Sequence, residues 1–358
     1  MMYPRLLIDL GKLRHNGEAL CRLAAERGVA DLAFVTKVFC ADGEIARTLA
    51  ETPCRYLADS RIENLEKLAG LGKDRILLRL PMPSQAETVV RSAEISFNSE
   101  PATLGALSAA AEKAGKIHRV VLMIDLGDLR EGIFFENREA VFAAAEQVEA
   151  DPWLELLGAA FNLTCYGSVL PSVENLSVFL GLVREMEERI GRRLSFVSGG
   201  NSSSLPLLLS GEMPGGVTNL RLGEAVALGR ETAYGQALEG LFQDAVCLEA
   251  ELVEVQTKPS YPVGEIGVNA FGERGSYVDL GPRRRAIAAI GRQDMECGGL
   301  RPMIPGVTVV GASSDHLILD ITQSSQALAV GDVVPFALDY GGLLRGFTSP
   351  YVQRAYRR

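Results

Sequence analysis

Histidine and cysteine are scarce in this sequence, and their spacing does not suit metal binding. The 358 residues include three histidines and six cysteines. The cysteines form no Cys-x-x-Cys pair and no metal-ligand spacing; they are Cys21, Cys40, Cys54, Cys165, Cys247 and Cys297. A histidine-rich metal site is therefore excluded, and we expect no metal and reduced thiols in a cytoplasmic protein.

Basic clusters and long apolar runs are also missing. The net charge is −9, and no basic stretch extends beyond Arg283–Arg285 and Arg357–Arg358. We therefore expect no nucleic-acid partner. No apolar run reaches membrane-spanning length, and the N-terminus lacks the features of a signal peptide, so we expect no membrane partner. With 47% hydrophobic and 23% charged residues, the chain can bury a large core.

Alternating strand-like and helix-like segments fill the first two thirds of the chain. Apolar residues spaced three and four apart predict helices, for example at 63–71, 102–114, 138–149 and 173–190. Between them lie eight candidate strands, at 32–36, 55–58, 75–79, 94–97, 119–125, 154–161, 194–197 and 218–220. Alternating βα units indicate a parallel sheet, and eight of them predict an α/β fold closed as a (β/α)8 TIM barrel over residues 11–233.

A different pattern begins at residue 234. Strand-like segments separated by Gly/Pro turns predict a C-terminal antiparallel β domain over residues 234–358; they lie at 246–256, 275–279, 285–290, 308–311, 316–322 and 332–338. The apolar segment Arg5–Leu10 precedes the first barrel strand and has no place in the barrel. We therefore expect the N-terminal strand, within residues 1–10, to join the β domain.

Two loops of small and polar residues follow the last two predicted barrel strands. One is Ser198–Ser204, with the sequence SGGNSSS, and the other is Leu220–Glu224, with the sequence LRLGE. Backbone N–H groups of loops that leave a strand and open a helix can bind a dianion. In an eight-stranded barrel the loops after strands seven and eight commonly bind phosphate. The sequence thus predicts a phosphate site here.

Four further strand ends carry polar side chains. Lys37 ends the first strand, where it is either a surface lysine with a buried stem or a nucleophile with a lowered pKa, suited to Schiff-base formation. Arg130 is a solvated loop arginine or a ligand-binding one, and Asn162 makes a strand-end hydrogen bond or faces the barrel mouth. Arg221 ends the eighth strand. All four would face the same rim as the phosphate site.

A phosphate site and an aldehyde-reactive lysine on one rim point to pyridoxal 5′-phosphate (PLP). At this point the chain resembles the fold-type III PLP enzymes, the alanine racemase family, and within them the ornithine racemase branch. The resemblance runs through almost the whole chain, and its segments are VTKV at 35–38, DLGDLREG at 125–132, NLTCYG at 162–167, SGGNSSSL at 198–205, LRLGEA at 220–225, IGRQD at 290–294, GASSDHLILD at 311–320 and TSPYV at 348–352.

The resemblance implies a role for each rim residue. Lys37 would hold PLP through a Schiff base, Arg130 would lie near its phenolic oxygen, and Arg221 would donate to its pyridine nitrogen. Asn162 stands where alanine racemases usually place a histidine. The phosphate would be bound by Asn201, Ser202, Gly223, Glu224 and Tyr351.

The second acid–base group departs from the family pattern. Racemisation needs such a group on each face of Cα. Lys37 would serve one face, whereas the family's tyrosine, supplied by a second subunit of a homodimer, is replaced here by Arg292. We expect His316 and Asp315 to be catalytic, with Asp294, Cys40 and Tyr340 as other candidates. His316 could equally be a strand residue bonded by backbone.

The sequence therefore predicts a PLP-dependent racemase that acts on a small amino acid, with ornithine favoured by the resemblance. Arg292 and Asp294 are expected to bind substrate, and Asp294, Glu296 and Asp315 would offset the charge of a basic side chain. Alternative substrates are lysine, alanine or another amino acid. Alternative functions are a fold-type III decarboxylase, a non-catalytic PLP-binding protein and a barrel aldolase that uses Lys37 without a cofactor.

Overall fold

The computed structural model describes residues 2–358 of the chain, which divides into two compact units. The barrel unit comprises residues 11–243, and the β unit comprises residues 2–10 and 244–358. The sequence predicts the change from one to the other after residue 233, and the structure has it after residue 243. Regular structure begins with β1 (Arg5–Asp9), which belongs to the β unit.

Eight parallel strands close into a barrel in the first unit, which confirms the predicted fold class. Going round the barrel, each strand pairs with the next in the order β2-β3-β4-β5-β6-β8-β9-β10, and β10 pairs with β2. The strands are β2 (Asp31–Val35), β3 (Tyr56–Asp59), β4 (Asp74–Leu77), β5 (Ile95–Asn98), β6 (His118–Asp125), β7 (Ile133–Phe134), β8 (Leu154–Phe161), β9 (Phe196–Ser198) and β10 (Asn219–Leu222), of which β7 is a short addition beside β6.

Helices connect the strands outside the barrel. They are α1 (Leu10–Glu26), α2 (Gly43–Ala50), α3 (Ile62–Lys67), α4 (Ala86–Ser92), α5 (Pro101–Ala114), α6 (Arg138–Glu149), α7 (Val173–Ile190), α8 (Leu205–Ser210) and α9 (Glu224–Leu228). Local chemistry sets their ends. For example, α7 begins after a capping box of Ser172 and Asn175 and ends at Gly191, whose φ of 72° suits glycine. Within residues 2–358 no helix combines the length and apolarity needed to cross a membrane.

Alternate residues of the barrel strands fill the interior. Phe97 and Phe196 pack edge to face there, with ring centroids 6.1 Å apart. Gly158 of β8 is required by the close approach of β9, because a Cβ at this position would lie 1.7 Å from the carbonyl oxygen of Phe196. The buried layer includes Ala33, Tyr56, Ala58, Ile76, Ile95, Phe97, Val121, Met123, Ala160 and Phe196.

The β unit is built on one long strand. β11 pairs antiparallel with β1 and β16 through its first half and with β12 through its second half. β1 also pairs parallel with β17. The elements of this unit are β11 (Val246–Pro259), β12 (Pro282–Ala288), β13 (Leu300–Pro302), β14 (Thr308–Ala312), β15 (Leu317–Asp320), β16 (Val333–Leu338), α10 (Tyr340–Thr348) and β17 (Gln353–Arg357).

Three features of the β unit differ from the sequence-based prediction. The segment 275–279 has a strand-like composition, but it is exposed and forms no strand. α10 was not predicted because its glycines disfavour a helix. One of them, Gly346, is needed for packing, since a Cβ there would lie 3.0 Å from Met295 and 3.2 Å from Leu6. β13 and β17 were not predicted either, because they are short or polar and become strands only by pairing with segments distant in sequence.

A buried histidine makes the barrel wall sensitive to acid. His118 is fully buried, and its Nε2 lies 2.8 Å from Ser96 Oγ, which also accepts a hydrogen bond from Asn98 Nδ2 at 2.9 Å. Nδ1 of His118 has no hydrogen-bond partner. Burial, with smaller contributions from Lys116 and Arg119, lowers the pKa of His118 to about 4. The neutral imidazole is therefore the form that the fold accepts.

Replacing His118 with glutamine should remove part of the acid sensitivity of folding. Because the pKa of His118 is lower in the folded than in the unfolded chain, its contribution to stability is complete above the unfolded pKa and is lost as the pH falls towards 4. Between pH 7 and pH 5 the wild type should lose about 2 kcal/mol more unfolding free energy than His118→Gln. Denaturant titrations at both pH values measure this difference, and equal losses would contradict it.

Candidate active site

Polar residues gather at the carboxyl ends of four consecutive barrel strands. Lys37 follows β2, Arg221 is the next-to-last residue of β10, Asn201 follows β9, and Asn162 follows β8. β2, β10, β9 and β8 are neighbours in that order around the barrel. The topology therefore places these residues on one rim, the end of an α/β barrel where catalytic residues lie.

Lys37 is positioned by a buried carboxylate on the neighbouring strand. The preceding residue, Thr36, donates from Oγ1 to Asp59 Oδ2 at 2.8 Å. Asp59 is fully buried at the end of β3, and burial raises its pKa. Lys37 is half-buried and begins a 3-10 turn that continues into Cys40 and Ala41, which have left-handed φ angles of 51° and 50°. The backbone around Lys37 is thus held in a fixed, strained conformation.

Other loops on the same side of the barrel also contain non-glycine residues with left-handed backbone. Within residues 2–358 it is confined to the loops that follow β2, β6 and β8, at Cys40, Ala41, Leu129, Thr164 and Ser168. Such conformations cluster at functional sites because the surrounding structure must enforce them. Their distribution marks this rim independently of its side chains.

Arg221 is the most constrained charge of the rim. The residue is 2% exposed, and its guanidinium lies 5.2 Å from the centre of the Phe97 ring. Nη1 donates to Ser198 Oγ at 2.5 Å, and Nη2 donates to Phe161 O at 2.5 Å and to Asn162 Oδ1 at 2.6 Å. These bonds use three of the five N–H groups of an arginine, so two N–H groups remain for a ligand. Burial lowers the pKa of Arg221 to about 10, which leaves it charged at neutral pH.

A carboxylate connects two of the predicted site residues. Glu131 Oε1 accepts hydrogen bonds from Asn162 Nδ2 at 2.5 Å and from Arg130 Nη2 at 2.7 Å. Its other oxygen forms an ion pair with Nε of Arg130. Since Asn162 also bonds to Arg221, the three predicted residues Arg130, Asn162 and Arg221 belong to one hydrogen-bonded network.

The loop after β9 has the features of an anion cradle. Asn201 caps the 3-10 turn Ser202–Ser204 by accepting from Ser203 N at 2.8 Å, and Ser202 Oγ accepts from Ala225 N at 3.3 Å, which ties this loop to α9. The hydroxyls of Ser203 and Ser204 are buried without a hydrogen-bond partner. Gly223 caps α9, and Glu224 is its first residue.

Asp128 shapes the loop that approaches this cradle. It is 1% exposed, and its carboxylate accepts from the backbone N–H groups of Cys165 at 3.2 Å, Tyr166 at 2.9 Å and Val169 at 3.1 Å. Asn201 Nδ2 donates to Leu163 O, at 3.1 Å, in the same loop. Asp128 therefore fixes one wall of the cradle.

The predicted substrate-binding residues of the β unit have partners within that unit. Arg292 forms an ion pair with Glu273 at 2.8 Å, and its guanidinium lies 4.5 Å from the centre of the Phe271 ring. Asp294 is 7% exposed, and its Oδ1 accepts from Ser349 Oγ at 2.7 Å. This bond gives Asp294 a structural role, and its contact with substrate stays a prediction.

Of the remaining predicted residues of the β unit, Asp315, His316 and Tyr351 are exposed and Tyr340 is partly buried. Asp315 and His316 lie in the turn between β14 and β15, where His316 N donates to Ser313 Oγ at 3.2 Å. The turn packs beside the Arg292 loop, since Arg292 N donates to Ser313 O at 2.9 Å. Tyr351 follows α10 and is 60% exposed, and Tyr340 begins α10.

Sequence reasoning missed Glu131, Asp128 and the two buried serine hydroxyls. Glu131 and Asp128 flank Arg130 closely in the segment DLGDLREG, so the charge density of that loop was an available signal. Their partners, however, are distant in sequence and could not be read from it. Within residues 2–358 no group of histidine, cysteine and carboxylate residues is arranged to hold a metal ion, and all six cysteines are free thiols.

Comparison with known proteins identifies the family. The model of the family described as alanine racemase, N-terminal domain, matches residues 8–230. The chain belongs to this alanine racemase family. It is 46% identical to ornithine racemase of Acetoanaerobium sticklandii and 37% identical to lysine racemase of Thermotoga maritima, with 99% of each chain covered in both cases.

Solved structures of the family have the same fold. Alanine racemase from Bartonella henselae with covalently bound pyridoxal phosphate superposes with a TM-score of 0.75 at 18% identity, over the whole of both chains. The predicted family resemblance is thereby confirmed. At this identity the likeness concerns the fold alone.

Asp128→Ala should loosen the loop of residues 163–169. Three backbone N–H groups would lose a charged acceptor, which should cost about 2–4 kcal/mol of local stability. Amide hydrogen exchange should accelerate at Cys165, Tyr166 and Val169. The control is Asp151→Ala, which removes a single bond to Trp153 N before β8, at the opposite end of the barrel. Unchanged exchange at these amides in Asp128→Ala would refute the role.

Proposed function

We propose that this protein is a PLP-dependent amino-acid racemase, an isomerase that interconverts L- and D-ornithine in the cytoplasm. The observation that carries the proposal is the identity of 46% with an ornithine racemase over 99% of both chains. The buried Arg221 and the half-buried Lys37 on one rim support it, because they supply the chemistry that such a reaction requires.

The residues of the rim fit PLP. One of the two remaining N–H groups of Arg221 suits a ring nitrogen, which can only accept. The unpartnered hydroxyls of Ser203 and Ser204 suit phosphate oxygens. We assign Lys37 to the aldehyde and Arg130 to the phenolic oxygen. Asn162 is assigned to the ring, and the phosphate is assigned to Asn201, Ser202, Gly223, Glu224 and Tyr351.

Proton transfer at Cα is the chemical task of the protein side chains. Bound PLP withdraws electrons from Cα of the amino acid and so acidifies its proton. Lys37 Nζ removes or returns that proton on one face. Arg221 would donate a hydrogen bond to the ring nitrogen and would keep its own proton, because a guanidinium is a very weak acid. By leaving the ring nitrogen unprotonated, Arg221 would favour return of the proton to Cα, and hence racemisation over transamination.

The second acid–base group and the substrate contacts are assigned to the β unit. His316 and Asp315 lie in an exposed turn, which supports their reaching the site of another protomer in a homodimer. Arg292 and Asp294 are assigned to substrate binding. Glu296 and Asp315 would offset the charge of a basic side chain. The identity of 37% with a lysine racemase supports lysine as the second candidate substrate.

Incubation with L-amino acids in deuterium oxide tests the proposed reaction. Ornithine, lysine and alanine should be compared by chiral chromatography for the D-isomer and by mass spectrometry for exchange at Cα. We expect both signals with ornithine and a weaker response with lysine. Release of carbon dioxide from one enantiomer would identify a decarboxylase instead, and a lack of turnover with bound PLP would favour a carrier.

Lys37→Ala should abolish the visible absorption of bound PLP and the racemisation. Removal of the amine takes away both the covalent attachment and one acid–base group, so the rate should fall at least about a thousandfold. Absorption spectra and racemisation rates measure the two effects. Lys116→Ala is the matched control, because Lys116 Nζ bonds to Val90 O away from the rim. A yellow, active Lys37→Ala protein would rule the assignment out.

Two inactive variants should complement each other if protomers share active sites. Lys37→Ala lacks the base of the barrel, and Asp315→Asn/His316→Gln lacks the proposed groups of the β unit. After mixing and subunit exchange, heterodimers contain an intact site and activity should reappear. Light scattering should give twice the mass of one chain. A monomeric mass under active conditions, or no recovery despite exchange, would argue against the shared site.

A further inference from the structure

Glu131 lies between the two arginines of the rim, Arg130 and Arg221, in the hydrogen-bonded network. Its side chain is 17% exposed, compared with 43% for that of Arg130. It accepts hydrogen bonds from Arg130 on one side and from Asn162 on the other. An ion pair with a partner as exposed as Arg130 contributes little by itself. The hydrogen bond between Glu131 and Asn162, at 2.5 Å, instead connects Glu131 through the Asn162 amide to the buried Arg221.

The carboxylate of Glu131 decides which way the amide of Asn162 points. A carboxylate can only accept hydrogen bonds, so it must face the NH2 group of Asn162. The carbonyl oxygen of the amide then faces Arg221 Nη2, from which it accepts at 2.6 Å. With the amide reversed, two donors would face each other at Arg221 and two acceptors at Glu131. Glu131 thus keeps the carbonyl oxygen of Asn162, an acceptor, turned towards Arg221.

Glu131 is also the counter-charge nearest to Arg221 in this network. Within the described chain the direct hydrogen-bond acceptors of Arg221 are uncharged: Ser198 Oγ, Phe161 O and Asn162 Oδ1. The carboxylate of Glu131 lies one amide further away. Its charge raises the pKa of Arg221 against the larger lowering by burial; the thiol of Cys165 also raises this pKa, and Arg130 lowers it.

We propose that Glu131 is a positioning residue of the reaction, which through Asn162 holds the guanidinium of Arg221 in one orientation towards the cofactor ring and supplies its nearest counter-charge. The inference rests on the proposed function. It predicts that loss of the carboxylate disturbs the electronic state of bound PLP and the proton-transfer step, while substrate binding changes little.

Glu131→Gln and Glu131→Leu are the informative substitutions. Glutamine keeps the shape but lacks the charge, so kcat should fall about tenfold, as expected for one charge-assisted hydrogen bond, with KM within about twofold. Leucine also removes the acceptor and should lower kcat further. In both variants the visible absorption spectrum of bound PLP should shift, and the apo-protein should bind PLP more weakly in equilibrium dialysis. Glu136→Gln, at an exposed position between β7 and α6, should match the wild type in each measurement.

A double-mutant comparison separates the two arms of Glu131. In an Asn162→Ala background, Glu131→Gln should change kcat and the spectrum by less than about twofold, because the connecting amide is gone. In an Arg130→Met background the effect of Glu131→Gln should persist. If the effect persists without Asn162 and vanishes without Arg130, the proposal is wrong, because Glu131 would then act through Arg130.

The outcomes also distinguish this inference from the proposed function. A wild-type protein that binds no PLP and racemises nothing would overturn the proposed function and the inference together. A yellow, active wild type whose Glu131→Gln variant has the same spectrum, PLP affinity and kcat would overturn the inference alone. Circular dichroism and thermal melts of each variant exclude loss of folding as the cause, and Glu131→Gln decides the matter if Glu131→Leu does not fold.

Discussion

The arrangement of the rim depends on the hydrogen bonds made by the buried guanidinium of Arg221. Its acceptors come from three places in the barrel: Ser198 in β9, Phe161 at the end of β8, and Asn162 immediately after it. A buried arginine is tolerated only when such acceptors are held in place. The register of β8, β9 and β10 must therefore be maintained for this charge to be buried with its acceptors in place, which couples the site to closure of the barrel.

Carboxylates near the rim are engaged by the protein itself. Asp59 accepts from Thr36 and Asn64, and Asp128 binds three backbone N–H groups. Their negative charges are spread over donors that the fold supplies. Lys37 and Arg221 place basic groups on the same rim, which suits an anionic cofactor.

The sequence was sufficient for the barrel and for most of the rim, because strand ends carry their polar residues where the alternation of apolar runs breaks. It was insufficient wherever a role depends on a distant partner. The residues next to Glu131 in the sequence give no sign that its carboxylate contacts the amide of Asn162. The pairing of β17 with β1 is likewise invisible locally, and the residues of 275–279 have strand-like composition without a strand to pair with.

The parallel pairing of β1 with β17 joins the beginning of the chain to its end. During synthesis residues 5–9 precede the barrel unit, and both of their partner strands, β11 and β17, follow it. At typical elongation rates the interval for the β unit is on the order of ten seconds. The sheet around β1 is therefore completed in two steps, first by β11 and then by β17, and both steps come after the barrel residues have been made.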